Sequence, residues 1–200
     1  MEYVYESGNN NYPTLILLHG TGGNEYDLIP IAKTVLPNAP ILSLRGDVNE
    51  GGMNRFFKRI APGVFDEDDV AMRAKNLKEW LIEKAKRYDF SLEKAIAIGY
   101  SNGANIIAAL LNDYGNILQH AVLLHPMTPY KDKACQNLVG VNVFIAAGIN
   151  DTIAPKQETV MLKERFEGAN ASLFLQWSDG GHQLTHETVD TLKIWIAKHQ

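Results

Sequence analysis

The chain has 200 residues, of which 46% are hydrophobic and 21% charged, and its formal net charge is −4. This length is enough for one sizeable hydrophobic core, so we expect a single domain over residues 1–200. The acidic balance argues against a surface for nucleic acid. The one cysteine, Cys135, excludes an internal disulfide and a zinc site built from cysteines.

Strand-like and helix-like segments alternate along the chain. The apolar segments that predict strands cover residues 14–18, 40–44, 95–98, 121–124, 141–147 and 172–177. The segments with helical spacing cover residues 28–35, 66–85, 102–111, 155–167 and 185–199. The sequence predicts a long irregular loop over residues 45–65. Continuous apolar strands that alternate with helices indicate an α/β fold, with a mostly parallel sheet and helices on both faces.

A Gly-x-Ser-x-Gly pentapeptide, residues 99–103, stands between the third predicted strand and the third predicted helix. In this setting the pattern is typical of a nucleophile elbow, a sharp turn whose glycines leave room around the serine. Ser101 would then project above the sheet edge at the N-terminus of a helix. There the helix dipole and free backbone N–H groups favour developing negative charge.

Four polar clusters each follow a predicted strand directly. They cover residues 19–23, 99–103, 148–151 and 178–182. The carboxyl ends of parallel strands meet at one edge of a sheet, which is where ligands bind in such folds. That edge would hold Ser101, Asp151 and His182, and serine, acid and histidine in this chain order are expected of an α/β-hydrolase.

This set of residue types suits acyl transfer. Serine is a poor nucleophile at neutral pH, so a base such as His182 must take the Ser101 proton during attack. Asp151 would accept the other ring N–H of the histidine and stabilise the imidazolium. We expect the backbone N–H groups of Asn102 and Thr21 to bind the oxyanion of the tetrahedral intermediate.

Each of these residues also has a simpler interpretation. Ser101 and Asp151 could each cap the helix that follows, and His182 could be a surface residue after a Gly-Gly turn. His182 and His186 are spaced as two metal ligands would be, but the glutamate of a zinc-protease helix is missing, so we expect no metal. The simpler interpretations do not explain why the three residues follow successive strands in this order.

Two further histidines come directly after predicted strands. His19 precedes the Gly-rich loop of residues 20–23, and we expect it to brace that loop. His125 follows the strand at residues 121–124 and could line the cleft.

The motifs at residues 19–23, 99–105, 148–155 and 181–182 together resemble the carboxylesterase/phospholipase family of small α/β-hydrolases, over nearly the whole chain. The resemblance implies an α/β-hydrolase fold. It also matches Ser101, Asp151 and His182 to a catalytic triad, and Thr21 and Asn102 to oxyanion donors.

Acyl-protein thioesterases of that family usually have glutamine after the nucleophile, where this chain has Asn102, and His-Gly ahead of the acid, where it has Ala147-Gly148. Residues 51–57 and the Ser-Asn-Gly-Ala-Asn elbow look closer to bacterial carboxylesterases, including a branch associated with hydroquinone and quinone stress. The likeness therefore favours an esterase over a thioesterase.

The substrate pocket is the least determined part of the site. Apolar side chains in the Gly-containing loop could form an acyl or aryl wall, or could anchor the loop to the core, and other apolar residues lie near strand ends. The pocket candidates are Met53, Phe56, Phe57, Met127, Ile149 and Ile153. The connection between the fourth and fifth predicted strands leaves no room for a large cap domain, so we expect an open site.

The sequence thus predicts a serine carboxylesterase that hydrolyses small aryl or short acyl esters through an acyl-enzyme intermediate, without cofactor. The alternatives are an acyl thioesterase or lysophospholipase with a longer groove, and a hydrolase-fold binding protein of low turnover. Residues 1–6 lack the pattern of a secretory signal, and no apolar run could span a bilayer. We therefore expect a cytoplasmic protein without membrane insertion, and a homodimer is possible.

Overall fold

The computed structural model describes residues 1–200 and contains eleven strands and five helices. The strands are β1 (Tyr3–Glu6), β2 (Leu15–Leu18), β3 (Ile41–Leu44), β4 (Val48–Glu50), β5 (Met53–Arg55), β6 (Arg59–Ala61), β7 (Val64–Phe65), β8 (Ile96–Tyr100), β9 (His120–Leu124), β10 (Asn142–Gly148) and β11 (Ser172–Ser178). The helices are α1 (Ile29–Val35), α2 (Glu67–Arg87), α3 (Asn102–Tyr114), α4 (Lys156–Gly168) and α5 (His186–Lys198). None of these helices has the length and apolar composition needed to cross a membrane.

Seven strands form one sheet in the order β1-β3-β2-β8-β9-β10-β11. Every neighbouring pair is parallel except β1 and β3. The expected mostly parallel sheet is therefore confirmed. The pattern does not predict β1, which pairs antiparallel with β3 at one edge through partners such as Tyr3 and Leu44.

Helices cover both faces of the sheet, as the continuous apolar strands predict. Alternate strand residues point to opposite faces. Leu15 and Leu17 of β2 pack with α1 and α5, whereas Ile16 and Leu18 pack with α2, α3 and α4. The central strands β2, β3, β8, β9 and β10 are buried on both faces and so carry no regular polar positions, whereas the edge strands β1 and β11 are partly exposed.

Residues 45–65 are not an irregular loop, as the sequence analysis expects, but contain two short hairpins, β4–β5 and β6–β7. The first turns at Gly51 and Gly52, whose φ values are +58° and +87°. Two consecutive positive φ angles match the twist of a tight hairpin, and glycine reaches them without strain. The Gly-Gly pair is the sequence signal that could have predicted this hairpin.

The carboxyl ends of β2, β8, β9, β10 and β11 lie along one edge of the sheet. The register places Leu18 beside Gly99, Tyr100 beside Leu124, and Gly148 beside Ser178. The segment between β9 and β10 contains neither helix nor strand, so no cap domain is inserted there. The polar clusters that follow these strands are thereby brought together at an uncovered edge.

Candidate active site

Ser101 lies in a strained turn between β8 and α3. Its φ is +50° and its ψ is −112°, which a residue with a side chain rarely adopts. A Cβ on Gly99 would lie 2.5 Å from the Gly103 carbonyl oxygen, and one on Gly103 would lie 2.0 Å from that of Leu18. Both glycines are therefore required by close backbone packing. The Ser101 hydroxyl makes no capping hydrogen bond to α3, which argues against its interpretation as a helix cap.

A hydrogen-bond chain joins the three residues that the sequence singles out. The Ser101 hydroxyl lies 2.9 Å from His182 Nε2, and His182 Nδ1 lies 2.7 Å from Asp151 Oδ2. The other carboxyl oxygen, Oδ1, accepts the backbone N–H groups of Ile153 and Ala154 at 2.8 and 2.9 Å. Asp151 therefore has both the structural and the catalytic contacts considered for it. Its Oδ1 caps the turn before α4, and its Oδ2 contacts His182.

The surroundings of Asp151 keep its carboxyl ionised. Burial raises its pKa, but hydrogen bonds from the Ala154 N–H, His182 and His125 outweigh this effect, and the net pKa lies below the usual range. A carboxylate can only accept, so the His182 proton resides on Nδ1 and Nε2 carries a lone pair. That lone pair faces the Ser101 hydroxyl, which is the arrangement that a general base requires.

His125 contacts the same carboxyl oxygen as His182. Its Nδ1 lies 2.9 Å from Asp151 Oδ2, and the two imidazole rings are 5.2 Å apart. The side chain is buried, and burial is the main reason why its pKa lies below the usual value for histidine. His125 therefore lies beneath Asp151 rather than at the surface of a cleft.

Asp151, His125 and His182 place three potential ligand atoms within 4.8 Å of one another. Asp151 Oδ2 is already hydrogen-bonded to Nδ1 of both histidines. His186 is exposed at the start of α5, while both ring nitrogens of His182 are engaged by Asp151 and Ser101. The geometry does not favour the His182–His186 pair as metal ligands.

The backbone N–H groups of Thr21 and Asn102 donate to no other protein atom. Asn102 is the first residue of α3, where a helix leaves its N–H groups unpaired. A Cβ on Gly20 would lie 3.6 Å from Ser101 Cβ, so the Gly-rich loop passes beside the serine. His19 holds this loop: its Nδ1–H donates to the Gly20 carbonyl at 2.6 Å, and its Nε2 accepts the Gly46 N–H at 3.0 Å.

The hairpin strand β5 supports the same loop, a role that the sequence analysis does not foresee. The Gly22 N–H donates to the Asn54 carbonyl, and the Asn54 side chain donates to the Gly23 carbonyl, both at 2.9 Å. Arg55, although charged, is buried and donates through Nη1 to Thr21 Oγ1 at 2.8 Å. A buried arginine is rare unless paired, so nothing in the local sequence marks this contact.

Phe56 and Phe57 are core residues. Phe57 is fully buried and packs edge-on against Phe65, and Phe56 packs against the His19 ring. The Phe56 N–H also donates to Asn102 Oδ1 at 2.7 Å, which ties the loop to the start of α3. Their burial favours loop anchoring over a substrate wall, because a buried ring offers no surface to a ligand.

The other four pocket candidates lie near the site with different exposure. Met53 is 40% exposed beside Gly22, and Ile149 and Ile153, on either side of Asp151, are 44% and 60% exposed. Met127 is largely buried, and its N–H donates to an asparagine side chain of α3. Three apolar side chains therefore face solvent around the triad, where they could contact a substrate.

A surface cleft of about 340 Å³ adjoins the Gly-rich loop. Its apolar wall is formed by Leu28, Ile31, Tyr100 and Leu184. A larger cavity, of about 550 Å³, lies at the amino ends of the strands. Neither cavity is lined by Ser101, Asp151 or His182, but the smaller one reaches Tyr100, the residue before the serine.

Comparison with known proteins shows the family and the fold. The model of the dienelactone hydrolase family matches residues 2–190. Putative hydrolase MhqD of Bacillus subtilis is 43% identical over 198 residues, which span 99% of this chain and 98% of that protein. The crystal structure of the Bacillus cereus carboxylesterase is 50% identical with a TM-score of 0.97, covering 100% of this chain and 95% of the other.

A carboxylesterase from Mesorhizobium loti is 28% identical with a TM-score of 0.88, covering 92% of this chain and 88% of that one. The expected α/β-hydrolase fold and the likeness to bacterial carboxylesterases are thus confirmed. The family whose model matches is described as dienelactone hydrolase, rather than by the carboxylesterase/phospholipase name that the motifs suggest.

Proposed function

Because the chain belongs to the dienelactone hydrolase family, we propose that it is a serine carboxylesterase that works through an acyl-enzyme intermediate. The observation that carries this proposal is the continuous hydrogen-bond chain from Ser101 through His182 to the ionised Asp151. The strained elbow supports it as well, because strain of this kind is found where a side chain must be held for reaction.

In the acylation step, Ser101 Oγ attacks the ester carbonyl carbon while its proton passes to His182 Nε2. The oxygen of the tetrahedral intermediate takes up negative charge, and the unpaired N–H groups of Thr21 and Asn102 stabilise it. His182 then protonates the leaving alcohol as the carbon–oxygen bond breaks. Water attacks the acyl-enzyme by the same route in reverse, which releases the carboxylic acid and restores the Ser101 hydroxyl.

The proposed substrates are small carboxylic esters with an aryl or short acyl group. Ser101 and His182 are both partly exposed, and no inserted domain covers them. The neighbouring cleft has the volume and apolar wall to accept a compact ring or short chain. The proposed mechanism uses only residues of this chain and requires no cofactor. We also propose that the enzyme acts in the cytoplasm.

The test is steady-state hydrolysis of p-nitrophenyl esters from acetate to palmitate by the wild type and Ser101→Ala. We expect turnover to be highest for short chains and to fall by at least about 10⁴-fold in Ser101→Ala. The melting temperature should change little, because the hydroxyl makes no helix cap and its hydrogen bond to the partly exposed His182 can be replaced by water.

A maximum at long chains would favour a lipid or thioester substrate. A correctly folded Ser101→Ala that keeps the wild-type rate would refute the serine mechanism. A single slow burst without turnover would favour the binding-protein alternative.

A further inference from the structure

His125 is the one buried histidine of the triad region that the proposed mechanism leaves without a task. It lies directly after β9, and its backbone N–H donates to the Ala146 carbonyl of β10 at 2.7 Å. It is held in the left-handed region, with φ at +52°. Positive φ is uncommon outside glycine, although histidine is among the residues that tolerate it. From this position His125 Nδ1 reaches Asp151 Oδ2 at 2.9 Å.

We propose that His125 is a positioning residue that holds Asp151 Oδ2 beside the contact from His182 and limits how strongly Asp151 attracts the His182 proton. This role rests on the proposed function. His125 and His182 both donate to the same oxygen, at 2.9 and 2.7 Å. Asp151 Oδ2 therefore divides its charge between two donors, only one of which leads to Ser101.

The hydrogen-bond pattern determines which proton His125 carries. Asp151 is ionised and can only accept, so His125 must hold its proton on Nδ1. Burial is the main cause of the lowered pKa of His125 and outweighs the contacts to Asp151 and to the Gln183 backbone, which raise it, so the ring is neutral. The result is a neutral donor with fixed direction, and such a group can orient a carboxylate without adding a second positive charge.

The other titratable group that faces this cluster is Tyr100. Its ring is 6.0 Å from that of His125, and its hydroxyl donates to the His182 backbone carbonyl. Burial raises the pKa of Tyr100, so the phenol is neutral over the working range. Asp151 is thus the one charged partner of both histidines, and a change in its hydrogen bonding must act on His182.

Removal of the His125 donor should strengthen the remaining contact. Asp151 would lose one hydrogen bond, and its charge would stabilise the imidazolium form of His182 more strongly. The acid limb of the kcat/KM profile would therefore move to higher pH. The carboxylate would also be free to shift, and a small misplacement of a catalytic group can be costly.

Two substitutions separate hydrogen bonding from packing. His125→Phe keeps an aromatic ring but removes the donor. His125→Asn removes the ring, but its amide nitrogen is attached at the same carbon as Nδ1, and asparagine tolerates a positive φ. If His125 acts through its hydrogen bond, His125→Asn should lower kcat/KM less than His125→Phe does. If it acts by packing, His125→Phe should lower kcat/KM less.

We would measure kcat/KM for p-nitrophenyl acetate against pH in the wild type and in both variants, with melting temperatures to establish folding. We expect about a tenfold loss and a raised acid limb in His125→Phe, and a profile within about threefold of the wild type in His125→Asn. Superimposable profiles of His125→Phe and the wild type would overturn the proposal. A larger loss of kcat/KM in His125→Asn than in His125→Phe would also overturn it.

A second readout is independent of turnover. Proton NMR of protein labelled with ¹⁵N in the histidine rings should show two downfield Nδ1–H signals, from His125 and His182. One of these signals should be absent in His125→Phe. A single such signal in the wild type would overturn the assignment of His125. If the wild type shows both signals but no turnover that depends on Ser101, the proposed function is refuted while the His125 contact to Asp151 remains supported.

Discussion

Asp151→Asn should inactivate the enzyme although it changes only one atom of the side chain. Asp151 Oδ1 accepts two backbone N–H groups, from Ile153 and Ala154. Two donors facing one position specify an oxygen there, so the amide of asparagine must place its NH₂ group where Oδ2 now lies. That group would point its N–H bonds at the Nδ1 atoms of His125 and His182, which would then have to accept.

The consequence is the wrong tautomer of His182. With Nδ1 as acceptor, the proton must reside on Nε2, which faces the Ser101 hydroxyl at 2.9 Å. Nε2 can then no longer take the serine proton. Loss of the acid's contribution to a triad of this type is worth about 10⁴-fold in kcat, or about 5.4 kcal/mol at 1.36 kcal/mol for each factor of ten.

The assay is hydrolysis of p-nitrophenyl acetate, with Asp151→Ala and Asp179→Asn as matched variants. The tautomer argument requires Asp151→Asn to be no milder than Asp151→Ala, although asparagine is the more conservative change. Asp179 is the other acid near His182 in the sequence, and its replacement should leave the rate within about threefold. A rate for Asp151→Asn within about tenfold of the wild type would refute the reasoning.

Two further predictions concern stability. Gly103→Ala should lower the free energy of unfolding, measured by urea denaturation, by about 3 kcal/mol or more, because the new Cβ would lie 2.0 Å from the Leu18 carbonyl oxygen. The control is Gly168→Ala, which has open space around it and should be neutral or slightly stabilising. An equal effect of both would show that close packing is not what requires Gly103. The Arg45 side chain hydrogen-bonds the buried Glu25 and is the main cause of its lowered pKa. The stabilisation by Glu25 is present above its unfolded pKa and is lost as the pH falls through the lower folded value. The urea midpoint of Glu25→Gln should therefore be lower than that of the wild type at pH 7 and depend less on pH in acid, and parallel pH curves would contradict this.

Continuous apolar runs were a good guide to the sheet because its central strands are buried on both faces. A continuous apolar run that is bounded by polar residues and alternates with helices predicts a buried strand. All six strands expected from such runs are present. The edge strand β1 and the hairpins over residues 45–65 lack such runs. Their pairing depends on turn geometry and on a neighbouring strand, which local sequence encodes weakly.

The candidate triad could be located from the sequence because chain order and strand ends are enough to place three polar clusters at one edge. The positive φ of Ser101 and the tight packing at Gly99 and Gly103 are also implied by the motif. The Asp151 oxygen that His125 and His182 share could not be located in this way. It depends on the relative placement of two loops, to within a few tenths of an ångström.

By itself, then, the sequence determined the fold class, the sheet edge that holds the site and the three residues that meet there, because these follow from periodicity and topology. Only the tertiary structure decided the supporting contacts: the buried Arg55 on Thr21, the core position of Phe57, and the second histidine on Asp151. The physical reason is that a buried polar contact is specified by distance and direction between segments far apart in the chain. Spacing along the sequence carries no such information.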